Sequence, residues 1–115
     1  MTPRTLIAAI ITLCVVAATP ALAQSNSSVE RGMKVFAERK CSMCHAIAGK
    51  GNPKGPLDGM GVKLTAEETR QWLTNPDEMR KQTKAERKPE MKSFASLPKD
   101  DLDALVAYLQ TLKKR

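Results

Sequence analysis

Apolar residues fall into three patterned stretches of this 115-residue chain. The first is an almost unbroken apolar run of 13 residues from Leu6 to Ala18. In the second, Val29, Met33, Phe36 and Ala37 recur at helical spacing, which predicts a helix from about Val29 to Lys40. Ser27 or Ser28, at the end of the polar segment from Gln24, is placed to cap it. Gly32 lies inside this helix at a cost of about 1 kcal/mol against Ala, so close approach of another backbone is expected there. The third stretch is a single stripe of Leu102, Leu105, Val106, Leu109 and Leu112. Pro98 suits the start of that helix. Asp100, Asp101 and Asp103 crowd its first turn and Lys113, Lys114 and Arg115 its end, both favourable to the helix dipole.

Between the second and third stretches, glycine and proline set the punctuation. Gly49, Gly51, Pro53, Gly55, Pro56, Gly59 and Gly61 predict loop from Ala48 to Gly61. Thr65-Ala66-Glu67-Glu68 reads as a capping box, with Thr65 the cap and Glu68 reaching back. A short helix follows to about Thr74, burying Trp72 and Leu73, and Asn75-Pro76 ends it. Residues 77–90 are polar and charged, predict at most a helical turn or two, and close at Pro89. No strand pattern and no internal repeat stands out, so the expectation is an all-α domain of three to five short helices.

The first apolar run changes the length that must be explained. Arg4 precedes it, Thr19-Pro20 break it, and Ala21-Leu22-Ala23 satisfies the small-residue cleavage rule, so residues 1–23 read as a secretory signal cut before Gln24. A spanning helix needs roughly 20 apolar residues, more than this run supplies. Removing 23 of 115 residues leaves a 92-residue exported domain, 24–115, that is expected to be periplasmic and soluble. Cys14 leaves with the signal. Removing Arg4 leaves 18 basic against 12 acidic side chains, a formal charge of +6. The aromatic residues number four, Phe36, Trp72, Phe94 and Tyr108, too few to fill the middle of a small domain whose core is already marginal.

The remaining cysteines stand with the single histidine as Cys41-Ser42-Met43-Cys44-His45, a C-x-x-C-H motif. A closed zinc site needs four ligands, and the domain offers three Cys and His in total. A thiol–disulfide oxidoreductase would set C-x-x-C beside a β-α-β pattern that is absent. C-x-x-C-H is also the attachment motif of a c-type haem, made outside the cytoplasm. Two thiols one helical turn apart match the two porphyrin vinyls, and the adjacent imidazole binds the iron. The expected cofactor is therefore one covalent haem c held by Cys41, Cys44 and His45.

With one histidine, the second axial position falls to a methionine, a lysine or nothing. Met33 belongs to the packing stripe of the first helix, and Met43 is tied beside the attachment. Met60 follows His45 by only 15 residues, and Met79 sits among charges after a helix stop. Met91 lies 46 residues past His45, ample chain to wrap the ring, with Pro89 stiffening the approach. Met91 is the best-placed ligand.

These residues together resemble a class I c-type cytochrome over nearly the whole exported domain. Gly32 and Phe36 ahead of the motif match that family's first-helix pair. The resemblance implies that Gly32 lets the first and last helices cross, and that the Pro56 carbonyl in Gly55-Pro56-Leu57 accepts a hydrogen bond from the proximal histidine. It further implies that Trp72 bonds a haem propionate and that Met91, in Pro89-Glu90-Met91-Lys92-Ser93-Phe94, is the distal ligand. Leu105-Val106-Ala107-Tyr108-Leu109 resembles the last helix, packed on the first and on the haem. Residues 77–88 match no part of the pattern position by position. The four-helix-bundle cytochromes place the motif near the C-terminus. Here only 17 domain residues precede Cys41 and 70 follow His45.

A histidine and a thioether would saturate the iron, and soft sulfur favours its reduced state. The expected role is therefore a one-electron carrier and not an enzyme. Two alternatives share the cofactor: a dedicated electron-accepting subunit of a periplasmic oxidoreductase, and a sensor or peroxidase whose distal methionine leaves. Lys40, Lys50 and Lys54 flank the attachment site, and Lys81, Lys84, Lys88 and Lys92 lie before or beside Met91. Such a ring is expected to steer acidic redox partners. Nucleic acid is excluded by the export signal, the paucity of aromatics and the absence of a binding motif.

Overall fold

A computed structural model describes residues 21–114. The expected signal at residues 1–23 lies almost wholly outside the described residues, and its last three positions begin the first helix. That helix, α1 (Ala21–Glu38), starts earlier than its stripe predicts. It runs through Ser27 and Ser28, which therefore do not cap it. No glycine or proline interrupts residues 21–31, and serine costs an extending helix little. Its buried side is also rotated from the expected one: Gly32 and Val35 are buried and Phe36 half-buried, while Met33 is 52 % exposed. Among the described residues no helix is long and apolar enough to cross a membrane.

After α1 come a 3-10 turn (Cys41–Met43), then β1 (Ala46–Ile47) paired antiparallel with β2 (Lys50–Gly51). Four helices follow: α2 (Met60–Lys63), α3 (Ala66–Thr74), α4 (Pro76–Thr83) and α5 (Lys99–Gln110). The all-α expectation holds at the level of architecture. The segment from Ala48 to Gly61 is less irregular than expected, because it contains β2 and α2. The hairpin turns through Ala48 and Gly49, both with positive φ (51° and 79°), as a tight two-residue hairpin turn requires. Asp58 Oδ1 accepts a hydrogen bond from the Ala48 amide at 2.9 Å and steadies that turn.

The helices assemble on α5. Leu102, Leu105, Val106 and Leu109 are buried on it, with Leu105 wholly inaccessible, and Leu112 packs at the margin. Val35 of α1, Leu73 of α3 and Leu97 complete the core. The α1–α5 crossing is close because Gly32 has no side chain. A Cβ there would lie 2.1 Å from the Ala104 carbonyl oxygen and 2.5 Å from Tyr108 Cβ. One turn further on, Phe36 meets Tyr108 edge-to-face, with ring centroids 5.8 Å apart. On the other side, Thr65 caps α3 by accepting from the Glu68 amide at 3.1 Å, as the sequence predicts. Gln110 Nε2 donates to Thr69 Oγ1 at 3.0 Å, and Arg70 pairs with Asp103 at 2.6 Å, so α3 is fixed along α5.

Asn75-Pro76 does end α3, but a second helix begins at once. Pro76 occupies its first turn, where a missing N–H costs nothing. This helix, α4, buries Pro76 and Met79. Pro98 precedes α5 as its N-cap, and Lys113 and Lys114 lie beyond the last turn instead of in it.

Candidate functional site

Bounded by parts of all five helices and the loops is a cleft of about 620 Å³, a volume ordinary for a sizeable organic ligand. Its walls are mostly apolar: Phe36, Leu57, Leu64, Leu73, Leu105 and Leu109 contribute, with Trp72 from α3. Cys41, Cys44, His45 and Met91 all line it. Residues spread over 50 positions of sequence thus converge on one apolar space.

The attachment motif is presented by a sharp change of direction. Lys40 takes a left-handed conformation (φ 55°) and stops α1. The next residues close a tight turn in which the Cys44 and His45 amides both donate to the Cys41 carbonyl, at 3.1 and 2.9 Å. Cys41, Cys44 and His45 are thereby stacked on one turn. Both thiols are free. Cys41 is half-buried, and burial pushes its thiol above the usual range. Cys44 is exposed.

His45 is half-buried, and burial lowers its pKa, with the Arg87 guanidinium acting in the same direction against a hydrogen bond to Gly55. Its Nδ1 lies 3.1 Å from the Gly55 carbonyl oxygen. A carbonyl only accepts, so Nδ1 carries the proton and Nε2 keeps its lone pair for a metal. The acceptor is therefore Gly55, whereas the family resemblance implies Pro56. The same Gly55 carbonyl receives the Ala46 amide at 3.0 Å, and the Leu57 amide returns to the Ala46 carbonyl at 2.8 Å. This short parallel bridge turns Gly55 toward the imidazole. Pro56 lines the cleft beside it.

Met91 arrives on a segment without regular structure, held from its C-terminal side. The Phe94 amide donates to the Leu73 carbonyl at 2.7 Å, and Ser93 Oγ to the Thr74 carbonyl at 2.8 Å. The Met91 side chain is half-buried and packs against the core. The other methionines sort differently. Met60 also lines the cleft. Met79 is buried on α4 away from it, and Met43 stands 69 % exposed at its rim. Lys40, Lys54 and Lys92 border the opening.

Two arginines at this cleft had no role in the sequence reading. Arg80 pairs with Asp77 at 2.8 Å and Glu90 at 2.7 Å, leaving its buried Nε without a protein partner. Arg87 Nη2 donates to the Cys44 carbonyl at 2.6 Å. Arg80's pair with Asp77 is a local one within α4, whereas Arg87's partner lies 43 positions away, where nothing in the order of charged residues marks it.

The arrangement fits a haem attached through two thioethers. It combines an apolar slot, two free thiols one turn apart, a neutral imidazole with a fixed tautomer, and a thioether on the same cleft. Among the described residues there is no cluster of three or more His, Cys, Asp or Glu that would hold a bare metal ion.

Comparison with known proteins agrees with the geometry. Cytochrome c oxidase subunit 2 of Alkalihalophilus pseudofirmus (strain ATCC BAA-2126 / JCM 17055 / OF4) is 32 % identical over 98 residues, covering 77 % of this chain. The match spans 27 % of that relative's length. No solved structure matches the chain. The family model for cytochrome c matches residues 29–113, which takes in the motif, the cleft and every helix packed around it, and the chain belongs to the cytochrome c family.

Proposed function

We propose that the protein is a single-electron carrier that uses one covalently attached haem c, bound through Cys41 and Cys44 and ligated by His45 and Met91. Membership of the cytochrome c family implies haem-based electron transfer. The observation that carries the finer reading is the apolar cleft that the attachment motif and Met91 both line. When bound, haem would supply an iron that gains and loses one electron. The chain's own residues do the rest. The Gly55 carbonyl holds the His45 tautomer, the 93–94 hydrogen bonds hold the Met91 segment, and apolar walls exclude water. With both axial positions filled by protein, a substrate would find no open site, so the protein is not an enzyme in this reading. The signal-like residues 1–23 support export and a periplasmic place of work.

The test is direct. Protein from the periplasm should exceed its apo mass by one haem and keep the haem through acid-acetone extraction. Its reduced form should show a low-spin c-type spectrum and refuse carbon monoxide at neutral pH. Extractable haem would refute covalent attachment. Carbon monoxide binding would point instead to a sensor or peroxidase.

The relative's printed name favours a second reading, in which the domain is a dedicated electron-accepting part of a larger oxidoreductase. A stable complex surviving moderate salt in a pull-down would select it over a diffusing carrier.

A further inference from the structure

The segment that carries Met91 has two flanks, and they are secured differently. Its C-terminal side is tied to α3 through Ser93 and Phe94. Its N-terminal side, residues 84–90, leaves α4 without regular structure. There the Arg80–Glu90 pair links the segment back to the α4 it has just left, and Lys88 pairs with the same Glu90 carboxylate. Neither contact reaches the attachment motif. Arg87 does. Its guanidinium spans 43 positions to the Cys44 carbonyl, next to His45. Among the described residues, this is the hydrogen bond that joins residues 84–92 to residues 40–56.

The space for that contact is made by Gly55. A Cβ on Gly55 would lie 2.3 Å from Arg87 Nη1 and 2.2 Å from the Cys44 oxygen. The backbone that accepts the His45 hydrogen bond is thus shaped to let the guanidinium through. Arg87 also lines the cleft with His45 and Met91.

We infer that Arg87 is a positioning residue, a clasp that holds the Met91-bearing segment to the attachment motif and so keeps the sulfur at the iron. This rests on the axial reading proposed above. The physical consequence is a gating equilibrium. An added ligand reaches the iron only from the fraction of molecules whose distal segment has opened, and its apparent affinity scales with that fraction. A charge-assisted hydrogen bond to a backbone carbonyl is intrinsically stronger than a neutral one, and the exposure of Arg87 discounts it to the worth of an ordinary one.

The experiment titrates the oxidised holoprotein with imidazole and follows loss of the weak near-infrared sulfur-to-iron band. Arg87→Gln should lower the apparent imidazole dissociation constant by roughly five- to tenfold, the equilibrium value of one ordinary net hydrogen bond. Lys50→Gln removes a positive charge from the exposed hairpin and should stay within about twofold of the parent. If Arg87→Gln behaves like Lys50→Gln, the clasp is refuted. Should Arg87→Gln yield no holoprotein, Arg87→Lys is judged by the same comparison, since lysine lacks the fork that spans the gap beside Gly55. Failure of the underlying reading looks different. The parent protein would lack the band, or Met91→Ala would keep it, whatever Arg87 does.

Discussion

His45 needs a fixed tautomer before it can serve as a ligand, and a single carbonyl supplies it. The sequence names the histidine through C-x-x-C-H, because covalent chemistry demands those residue types at that spacing. It does not name the acceptor. Gly55 and Pro56 are adjacent, and which carbonyl turns inward is decided by the Ala46–Gly55 and Leu57–Ala46 hydrogen bonds, a tertiary matter. Arg87 is illegible for the same reason, its partner Cys44 lying 43 positions away. The methionines were sorted from sequence by chain reach, and the cleft narrows them further to Met91 and Met60, with Met43 at the rim. Met91→Ala should abolish the sulfur-to-iron band and open the reduced protein to carbon monoxide. Met60→Ala should leave both properties intact. Met79→Ala should also leave them, while lowering stability by about 2–5 kcal/mol, because Met79 is buried in packing and does not line the cleft. Loss of the band in Met60→Ala but not in Met91→Ala would reassign the ligand.

Among the elements, α5 and α3 are legible, α4 only as the helical turn or two expected of a charged stretch, and the hairpin not at all. The α5 stripe buries four of its five residues, because an amphipathic helix with an unbroken apolar face has one way to hide it. Thr65 caps α3 because its oxygen reaches the Glu68 amide whatever the surroundings. By contrast, α4 has too few apolar residues to show a stripe and gains its place by burying Pro76 and Met79, and two-residue strands leave too little sequence for a period. In α1 the helix and the close approach at Gly32 are legible, but the apolar spacing takes Met33 into the stripe although it is exposed. The α1–α5 crossing makes Gly32 the sensitive point. Alanine would gain about 1 kcal/mol in helix propensity there. Its Cβ would meet backbone at 2.1 Å, and overpacking typically costs about 1–3 kcal/mol or more. The clash is with a carbonyl and cannot be relieved by rotating a side chain, so Gly32→Ala should be net destabilising. Thermal unfolding of the holoprotein should fall by several degrees, on the scale of about 4–8 °C per kcal/mol for a domain of this size. An unchanged or raised midpoint would show that the helices can separate without loss.

At the scale of the whole molecule the question is where the positive charge stands. The chain carries a formal +7, and sequence position alone sets lysines around both the C-x-x-C-H motif and Met91. The structure is selective. Lys40, Lys54 and Lys92 border the cleft opening. Lys88 is paired with Glu90, and Lys113 donates to the Gly61 carbonyl at 2.8 Å and shares a separate small cleft with Lys114. Met43, exposed at the same opening, offers an apolar contact among those cations. An acidic redox partner would therefore be drawn to the opening through water, and salt would screen that attraction with a Debye length of about 10 Å at 0.1 M. The second-order electron-transfer rate with an acidic partner should fall by roughly tenfold between low and moderate salt. Charge reversal at Lys54 or Lys92 should reduce the low-salt rate and flatten its salt dependence, because each removes a charge from the approach path. Reversal at Lys114, which faces the other cleft, subtracts the same net charge and should cost far less. Stopped-flow rates across an ionic-strength series separate the two cases. Equal losses from Lys54, Lys92 and Lys114 would mean that only net charge matters, and rates indifferent to salt would mean that the lysines serve solubility and not encounter.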